Sequence, residues 1–213
     1  MDLAKLRELN IKLTKNKLKE SITADFLVIQ AIHTIDELIK IINRLVENLR
    51  ERYSYYSITA SKKEELKEFL AAIKEKQIDK DISVFNKEDF DAIFSLISAV
   101  ESLIKAKERN EEWLEKLMNN YHNLKNTAGT FIGARLIAIA GSMKRLAELP
   151  SSTIQVLGAE KALFRHLRTG AKPPRFGVIF SHEAITKAEK KGKAARQLAS
   201  KISIAAKKDY FKK

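Results

Sequence analysis

Apolar residues recur along the first half of the chain at alternating intervals of four and three positions. Seven of them lie between residues 28 and 49: Val28, Ile32, Ile35, Ile39, Ile42, Val46 and Leu49. This spacing is a heptad seam, in which one stripe of a helix packs against a neighbouring helix. Nothing between Met1 and Tyr56 interrupts the helical pattern, so one continuous helix is expected there.

A second apolar seam follows after a short connector. It consists of Phe90, Ile93, Ile97, Val100 and Ile104. Two long seams joined by a short connector predict an antiparallel coiled-coil hairpin, which we assign to residues 1–125. An internal core explains most of the first seam. The stripe is nevertheless wide for a two-stranded hairpin, which leaves room for a second copy of the chain at its tip.

Three local signals divide the connector between the seams. The segment Tyr53–Thr59 is weakly helical and predicts a turn. Ser61 with Glu64 matches a capping box at the start of a short helix. Asn86 is the expected N-cap of the second long helix.

The charge of the chain is concentrated in its second part. Residues 1–125 carry 22 basic and 22 acidic side chains, whereas residues 126–213 carry 18 basic and 5 acidic ones, which is the whole net charge of +13. All seven glycines and all three prolines also lie after residue 125. These contrasts predict a compact, basic, helical domain over residues 126–213. A concentrated cationic surface indicates a polyanionic partner, of which nucleic acid is the commonest.

The segment from Gly158 to Lys172 holds the densest candidate binding chemistry. Lys161, Arg165, Arg168 and Lys172 follow one another at i, i+4, i+7 and i+11, which places them on one face of a helix. Val156, Leu163 and Leu167 point roughly the other way and are expected to face the core. The alternative is an ordinary solvated helix face, which the scarcity of acidic residues disfavours.

Two further basic elements extend this surface. Arg175 follows two prolines in a stiff loop, and the last helix is expected to turn Ala195, Leu198, Ile202 and Ala205 inward. Lys193 lies opposite that inward face, with Arg196 to one side. The predicted RNA-binding residues are therefore Lys161, Arg165, His166, Arg168, Lys172, Arg175, Lys193 and Arg196.

Several functional classes lack support in the sequence. The chain has no cysteine, and its four histidines show no metal-ligand spacing, so no metal or other cofactor is expected. No nucleophile or phosphate-loop motif occurs, so we expect a protein that is not an enzyme. No stretch approaches the roughly 20 apolar residues of a membrane span. The N-terminus lacks the apolar core of a signal peptide. The chain opens inside a helical pattern, so we expect it to be part of a longer protein.

Four motifs carry a resemblance to a known family. They are GAEKALFR at Gly158–Arg165, PPRFGVIF at Pro173–Phe180, GARLIA at Gly133–Ala138 and GKAAR at Gly192–Arg196. This half of the chain resembles the Nop domain, and the first half resembles the coiled coil that precedes it. The family is that of archaeal core proteins of box C/D guide ribonucleoproteins, which are related to eukaryotic nucleolar and spliceosomal members.

The resemblance implies an RNA-binding scaffold without catalytic activity. Its Nop domain would recognise a box C/D kink-turn RNA together with the ribosomal-type protein bound to it, with Gly158, Ala159 and Glu160 where the two partners meet. The coiled coil, through the heptad seam, would join two copies. Fibrillarin, the ribose 2′-O-methyltransferase, would bind an N-terminal domain that has no counterpart here. The expected location is the cytoplasm of an archaeal cell, or the nucleolus in a eukaryote.

The sequence also departs from the family pattern. Arg52 stands where the family usually has tryptophan near the hairpin tip, and the usual lysine-rich tail is short, ending at Lys213. Two alternatives stay open: a non-specific basic nucleic-acid-binding protein, and a coiled-coil assembly protein without guide RNA specificity.

Overall fold

The structure, a computed structural model, describes residues 3–21, 23–75 and 87–211 and contains helices as its regular elements over those ranges. The α-helices are α1 (Leu3–Ser21), α2 (Ala24–Ser54), α3 (Ile58–Ser61), α4 (Leu66–Lys74), α5 (Lys87–Leu117), α6 (His122–Ala128), α7 (Thr130–Ala140), α8 (Met143–Glu148), α9 (Ser151–Val156), α10 (Glu160–Thr169), α11 (Glu183–Thr186) and α12 (Lys191–Phe211). Two 3₁₀ turns occupy Met118–Tyr121 and Val178–Ser181. The all-α prediction is confirmed. Over the described ranges, no helix is both long and apolar enough to cross a membrane.

The chain divides into two compact units. Unit 1 comprises Met1–His33 and Glu112–Lys213, and unit 2 comprises Thr34–Glu111. The long helices α2 and α5 each contribute residues to both units. The division therefore differs from the sequence-based boundary between residues 125 and 126, which stays a prediction about functional domains.

Unit 2 is a helical hairpin closed by short helices. Its core cluster contains Leu49, Tyr53, Tyr56, Ala60, Phe69, Leu70, Ala72, Ile73, Ile93 and Ile97. The C-terminal end of α2 thus packs with the N-terminal part of α5, whereas a groove further along brings Ile39 and Ile42 of α2 beside Ile104 of α5. Because later residues of α2 meet earlier residues of α5, the two helices run antiparallel.

Most side chains of the heptad seam of α2 are buried by other parts of the same chain. Val28, Ile32, Ile35 and Leu49 are fully buried, and Ile42 is 5% exposed. Ile39 and Val46 are half-buried. Side chains buried in one chain cannot at the same time contact a second copy. The expectation that an internal core explains most of the seam is confirmed for five of its seven residues, which leaves Ile39 and Val46 accessible in part. The role of the seam in joining two copies stays a prediction.

The expected continuous helix over residues 1–56 is wrong, because α1 ends at Ser21 and α2 begins at Ala24. The Thr23 hydroxyl donates to the Asp25 carboxylate, which also accepts from the backbone N–H of Phe26 (3.1 Å). The other oxygen of Asp25 accepts from the backbone N–H of Met143 at 3.0 Å. These bonds stabilise a helix start at a point where the apolar pattern alone gives no sign of a break.

The predicted capping box at Ser61 is also wrong. Helix α4 begins at Leu66 after the N-cap Glu65, which makes no side-chain capping bond. The turn before it is held by the Arg50 guanidinium, which donates to the backbone carbonyls of Ser61 (2.7 Å), Lys63 (2.5 Å) and Glu64 (3.2 Å). Arg50 also lies over the ring of Phe69, 4.5 Å from its centroid.

Ser57, rather than Ser61, supplies a side-chain cap in this region. Its hydroxyl accepts from the backbone N–H of Ala60 at 3.1 Å at the start of α3, within the segment predicted as a turn. Asn86, the predicted cap of α5, lies outside the described residues.

Helix α12 is the central element of unit 1 and packs against α6, α8 and α9. The inward residues predicted for it are confirmed: Ala195, Leu198, Ile202 and Ala205 are all buried. Near its C-terminal end, the Asp209 carboxylate accepts from the backbone N–H groups of Asn123 (3.1 Å) and Leu124 (2.7 Å) and from the Asn123 side chain (2.6 Å). Asp209 thereby caps the start of α6 across 85 or 86 residues of sequence.

Candidate nucleic-acid interface

Helix α10 carries the basic motif and has no buried residue. Lys161, Arg165 and Arg168 are exposed, as predicted for phosphate contacts. The expectation that Leu163 and Leu167 face the core is wrong, because they are 37% and 69% exposed. The helix is not covered on its apolar side by another described element of its unit.

The side chains of α10 form three stripes around the helix axis. Successive residues of an α-helix are about 100° apart, which groups Lys161, Arg165 and Arg168 on one side. Leu163, Phe164 and Leu167 form an apolar stripe roughly 120° away from the basic one. Phe164 is 62% exposed. Only Ala162 and His166, on the third side, are half-buried.

The helix ends before the last predicted member of its basic face. Gly170 has φ 68°, a left-handed conformation that favours glycine, and it terminates α10 by donating its N–H to the His166 carbonyl (2.9 Å). Lys172 therefore lies in the following loop, outside the helix, although it is exposed. The His166 ring nitrogen Nδ1 contacts the carbonyl oxygen of Ala171, and it must donate because a carbonyl only accepts. His166 thus stabilises this turn.

The start of α10 is shaped by Gly158 and Glu160. Gly158 has φ 88°, and a Cβ at this position would lie 2.4 Å from Cγ2 of Val178, so both the conformation and the space favour glycine. Its N–H donates to the Glu160 carboxylate at 2.8 Å. One carboxylate oxygen of Glu160 is therefore engaged within the chain. Glu160 is exposed and Ala159 half-buried.

A short stem closes the segment that carries α10. We define the stem as residues 155–158 and 175–178, which meet through backbone bonds from Gly177 N–H to the Gln155 carbonyl (2.9 Å) and from Val178 N–H to the Leu157 carbonyl (2.8 Å). Helix α10 and the loop with Lys172 and Arg175 thus form a segment that leaves the core and returns to it at the stem. Arg175 is exposed in this loop.

Lys193 and Arg196 lie in the first turns of α12, and both are exposed. The eight predicted RNA-binding residues share one property: none of them forms an ion pair with another described residue. The charges of the seven lysine and arginine residues among them are therefore free to interact with a partner. The grouping of the eight as one contact surface stays a prediction.

Sequence reasoning missed two features of this region. One is the exposure of the apolar stripe on α10, which helical periodicity cannot distinguish from a core-facing stripe. The other is an aromatic stack in which the rings of Phe176 and Phe180 lie 4.6 Å apart at 11°. Phe176 stands just after Arg175, and its aromatic identity was the only signal in the sequence.

Comparisons with known proteins agree on one family. The family model named Nop and described as "snoRNA binding domain, fibrillarin" matches residues 10–213. An uncharacterized NOP5 family protein of Methanocaldococcus jannaschii is 35% identical over 237 residues, covering 97% of this chain and 57% of that protein. Nucleolar protein 56 of Schizosaccharomyces pombe is 34% identical over 224 residues, covering 88% of this chain and 45% of that protein.

A solved structure is also similar. A chain of a fibrillarin/Nop5p complex matches with a TM-score of 0.58 and 27% sequence identity, covering 97% of this chain and 70% of that one. This chain spans about half the length of the curated relatives it matches. Because the family match extends over nearly all of the chain, and both halves contribute to it, the chain belongs to the Nop family.

Proposed function

We propose that the chain is an RNA-binding scaffold of a box C/D guide ribonucleoprotein, which directs ribose 2′-O-methylation of RNA. Its Nop domain would bind a composite surface made by kink-turn RNA and the ribosomal-type protein that binds the kink turn. Family membership supports the RNA-binding role. A relative named as a nucleolar protein and a similar chain from a fibrillarin complex support the ribonucleoprotein setting.

The observation that carries this proposal is the double exposure of α10. A helix that bound only phosphates would need its basic stripe exposed, and its apolar stripe would normally pack on the core. Here Leu163, Phe164 and Leu167 are exposed beside the basic stripe. An exposed apolar patch marks an interaction site. Two exposed faces of different chemistry suit a partner surface that is itself made of two components.

The start of α10 would lie where the two components meet. Gly158 is exposed, although Val178 of the same chain fills the space that a side chain on it would take. Glu160 keeps one carboxylate oxygen free of the bond to Gly158, and its negative charge suits a basic patch on a protein better than it suits RNA. Ala159 adds no bulk between them.

The remaining partners follow from the family. A second copy would join through the coiled coil, with the half-buried Ile39 and Val46 and the exposed Ile41 among the accessible apolar residues of α2. Fibrillarin, which is present in the complex of the similar solved chain, would supply the methyl-transfer activity. In a eukaryotic cell the complex would be nucleolar, and in an archaeal cell it would lie in the cytoplasm.

A gel-shift titration tests the proposal. It uses a box C/D kink-turn RNA with and without its kink-turn-binding protein, at two salt concentrations. Arg165→Glu is compared with Arg109→Glu, which makes the same charge change at an exposed position of α5. We expect assembly that depends on the protein partner, loss of assembly in Arg165→Glu, and nearly unchanged assembly in Arg109→Glu. Removing one phosphate interaction should reduce the slope of log K against log salt by about 0.9 on a duplex.

Two results would each replace the proposal with one of its alternatives. Equal binding to any duplex without the protein partner would indicate a non-specific basic nucleic-acid-binding protein. Dimerisation without measurable affinity for RNA would indicate a coiled-coil assembly protein. Unaltered assembly of Arg165→Glu at unchanged helicity would show that α10 is not the interface.

A further inference from the structure

Helix α10 is not oriented by side-chain packing in the usual way. Most helices of folded proteins are held by an apolar face against the core. None of the residues of α10 is buried, and only Ala162 and His166 are even half-buried. Its orientation, and with it the direction of both exposed faces, must come from the two points where it joins the rest of unit 1. Those two points are the chain segments that make up the stem.

Gln155 engages the opposite side of the stem through both its backbone and its side chain. Its carbonyl accepts from Gly177 N–H at 2.9 Å. Its side-chain Nε2 donates to the Arg175 carbonyl at 2.7 Å. Gln155 lies in α9, which packs against the central helix α12. It therefore connects the core of the unit to the far end of the α10 segment.

Two further contacts restrict the same place. A Cβ on Gly177 would lie 1.9 Å from the Leu157 carbonyl oxygen, so the two chain segments approach as closely as a glycine permits. One residue earlier, Phe176 stacks on Phe180. The stem is thus fixed by hydrogen bonds, close backbone approach and ring stacking, all in the immediate neighbourhood of Arg175 and Gln155.

We propose that Gln155 is a positioning residue for RNA–protein recognition. It holds the stem closed and thereby sets the direction in which α10 presents its basic and apolar stripes, without touching the partner itself. This inference rests on the proposed function for its second half, since the stripes matter only if a composite partner binds them. Its first half, closure of the stem, is a property of the free chain.

The hydrogen bond from the Gln155 side chain to the Arg175 carbonyl can be removed by a single substitution. Glutamate has the shape of glutamine but cannot donate a hydrogen bond when ionised, so Gln155→Glu places a carboxylate against the Arg175 carbonyl. Gln155→Asn keeps the amide but is one methylene shorter. Gln30→Glu is the matched control, because Gln30 is an exposed glutamine of α2 in the same unit, α2 carries no predicted RNA-binding residue, and the variant carries the same added charge.

Two measurements on the full chain test the proposal. The first is hydrogen exchange of the Gly177 and Val178 amides, which donate the stem bonds. We expect exchange at least about tenfold faster in Gln155→Glu, because a hydrogen bond beside them is removed, and no change in Gln30→Glu. The second is the gel-shift assembly on kink-turn RNA and its protein, where we expect affinity about tenfold lower for Gln155→Glu than for Gln30→Glu. Gln155→Asn should also make exchange faster and affinity lower, without any change of charge.

Each outcome decides a separate point. Unchanged exchange at Gly177 and Val178 in Gln155→Glu overturns the proposal, whatever the RNA assay shows. Faster exchange with assembly equal to that of Gln30→Glu also overturns it, since the stem would then not set recognition. If the unsubstituted chain itself shows no partner-dependent assembly, the proposed function fails, and the exchange result alone still decides whether Gln155 closes the stem.

Discussion

The carboxylate of Asp209 gives the most direct test of how unit 1 is held together. It accepts three hydrogen bonds at the start of α6, two from backbone N–H groups and one from the Asn123 side chain. The first N–H groups of a helix have no partner within the helix itself. Asp209→Ala therefore leaves the N–H groups of Asn123 and Leu124 without an acceptor in a place where water has limited access.

The magnitude follows from two contributions. Loss of an N-cap costs about 1 kcal/mol, with a range of about 0.5–2. Hydrogen bonds to a charged group contribute about 1.5–3 kcal/mol, part of which overlaps with the cap. We expect Asp209→Ala to lower the free energy of unfolding of unit 1 by about 2 kcal/mol. Asp209→Asn retains one oxygen acceptor and should cost about half as much.

Urea denaturation followed by tryptophan fluorescence is the appropriate assay. Trp113 is the only tryptophan of the chain, and it lies in unit 1 with a 40% exposed side chain. Glu148→Ala is the control, because it removes an exposed carboxylate from α8 in the same unit. If Asp209→Ala and Glu148→Ala unfold at the same urea concentration, the capping argument is refuted.

Two further predictions concern one side chain in each unit, Tyr121 in unit 1 and Arg50 in unit 2. Burial raises the pKa of Tyr121 to about 12, so its contribution to stability is complete below the ordinary tyrosine pKa of about 10 and is lost as the pH rises through about 12. When the free energy of unfolding is measured against pH in the alkaline range, Tyr121→Phe should lack that loss. Tyr55→Phe, which alters an exposed tyrosine, should retain it. Equal stability curves for the two variants would contradict the assignment to Tyr121. Arg50→Ala removes three bonds to backbone carbonyls and the contact with Phe69, and should destabilise unit 2 by about 2 kcal/mol. Arg44→Ala, at an exposed position of α2, is its control. Thermal unfolding is followed by circular dichroism. If both variants unfold at the same temperature, the role of Arg50 is refuted.

Local patterns of the sequence determined the helical class and suggested the residues of the candidate interface. Five of the seven residues in the heptad seam of α2 are indeed buried, and the inward residues of α12 were identified correctly. Both results rest on periodicity, which depends only on residues a few positions apart. The concentration of positive charge after residue 125 needs no structure at all, and the motif around Gly158–Arg165 indicated the family directly.

Contacts between distant residues decided the features that the sequence did not reveal. Asp25 starts α2 while bonding to Met143, 118 residues away, and Arg50 replaces the expected capping box by reaching the turn after α3. Asp209 caps α6 across 85 or 86 residues. No local signal distinguishes these polar side chains from solvated ones, because their partners are chosen by the tertiary fold.

Helix α10 shows the same limit on the apolar side. Its sequence has a basic stripe and an apolar stripe, which predicts a surface helix with Leu163 and Leu167 inward. The tertiary structure instead holds the helix at a stem, where Gln155 and Gly177 meet, and covers neither stripe. Amphipathicity, a property of the sequence, tells which side chains seek a partner. Whether that partner is the chain's own core or another molecule depends on where the two ends of the helix are anchored, and only the fold fixes that.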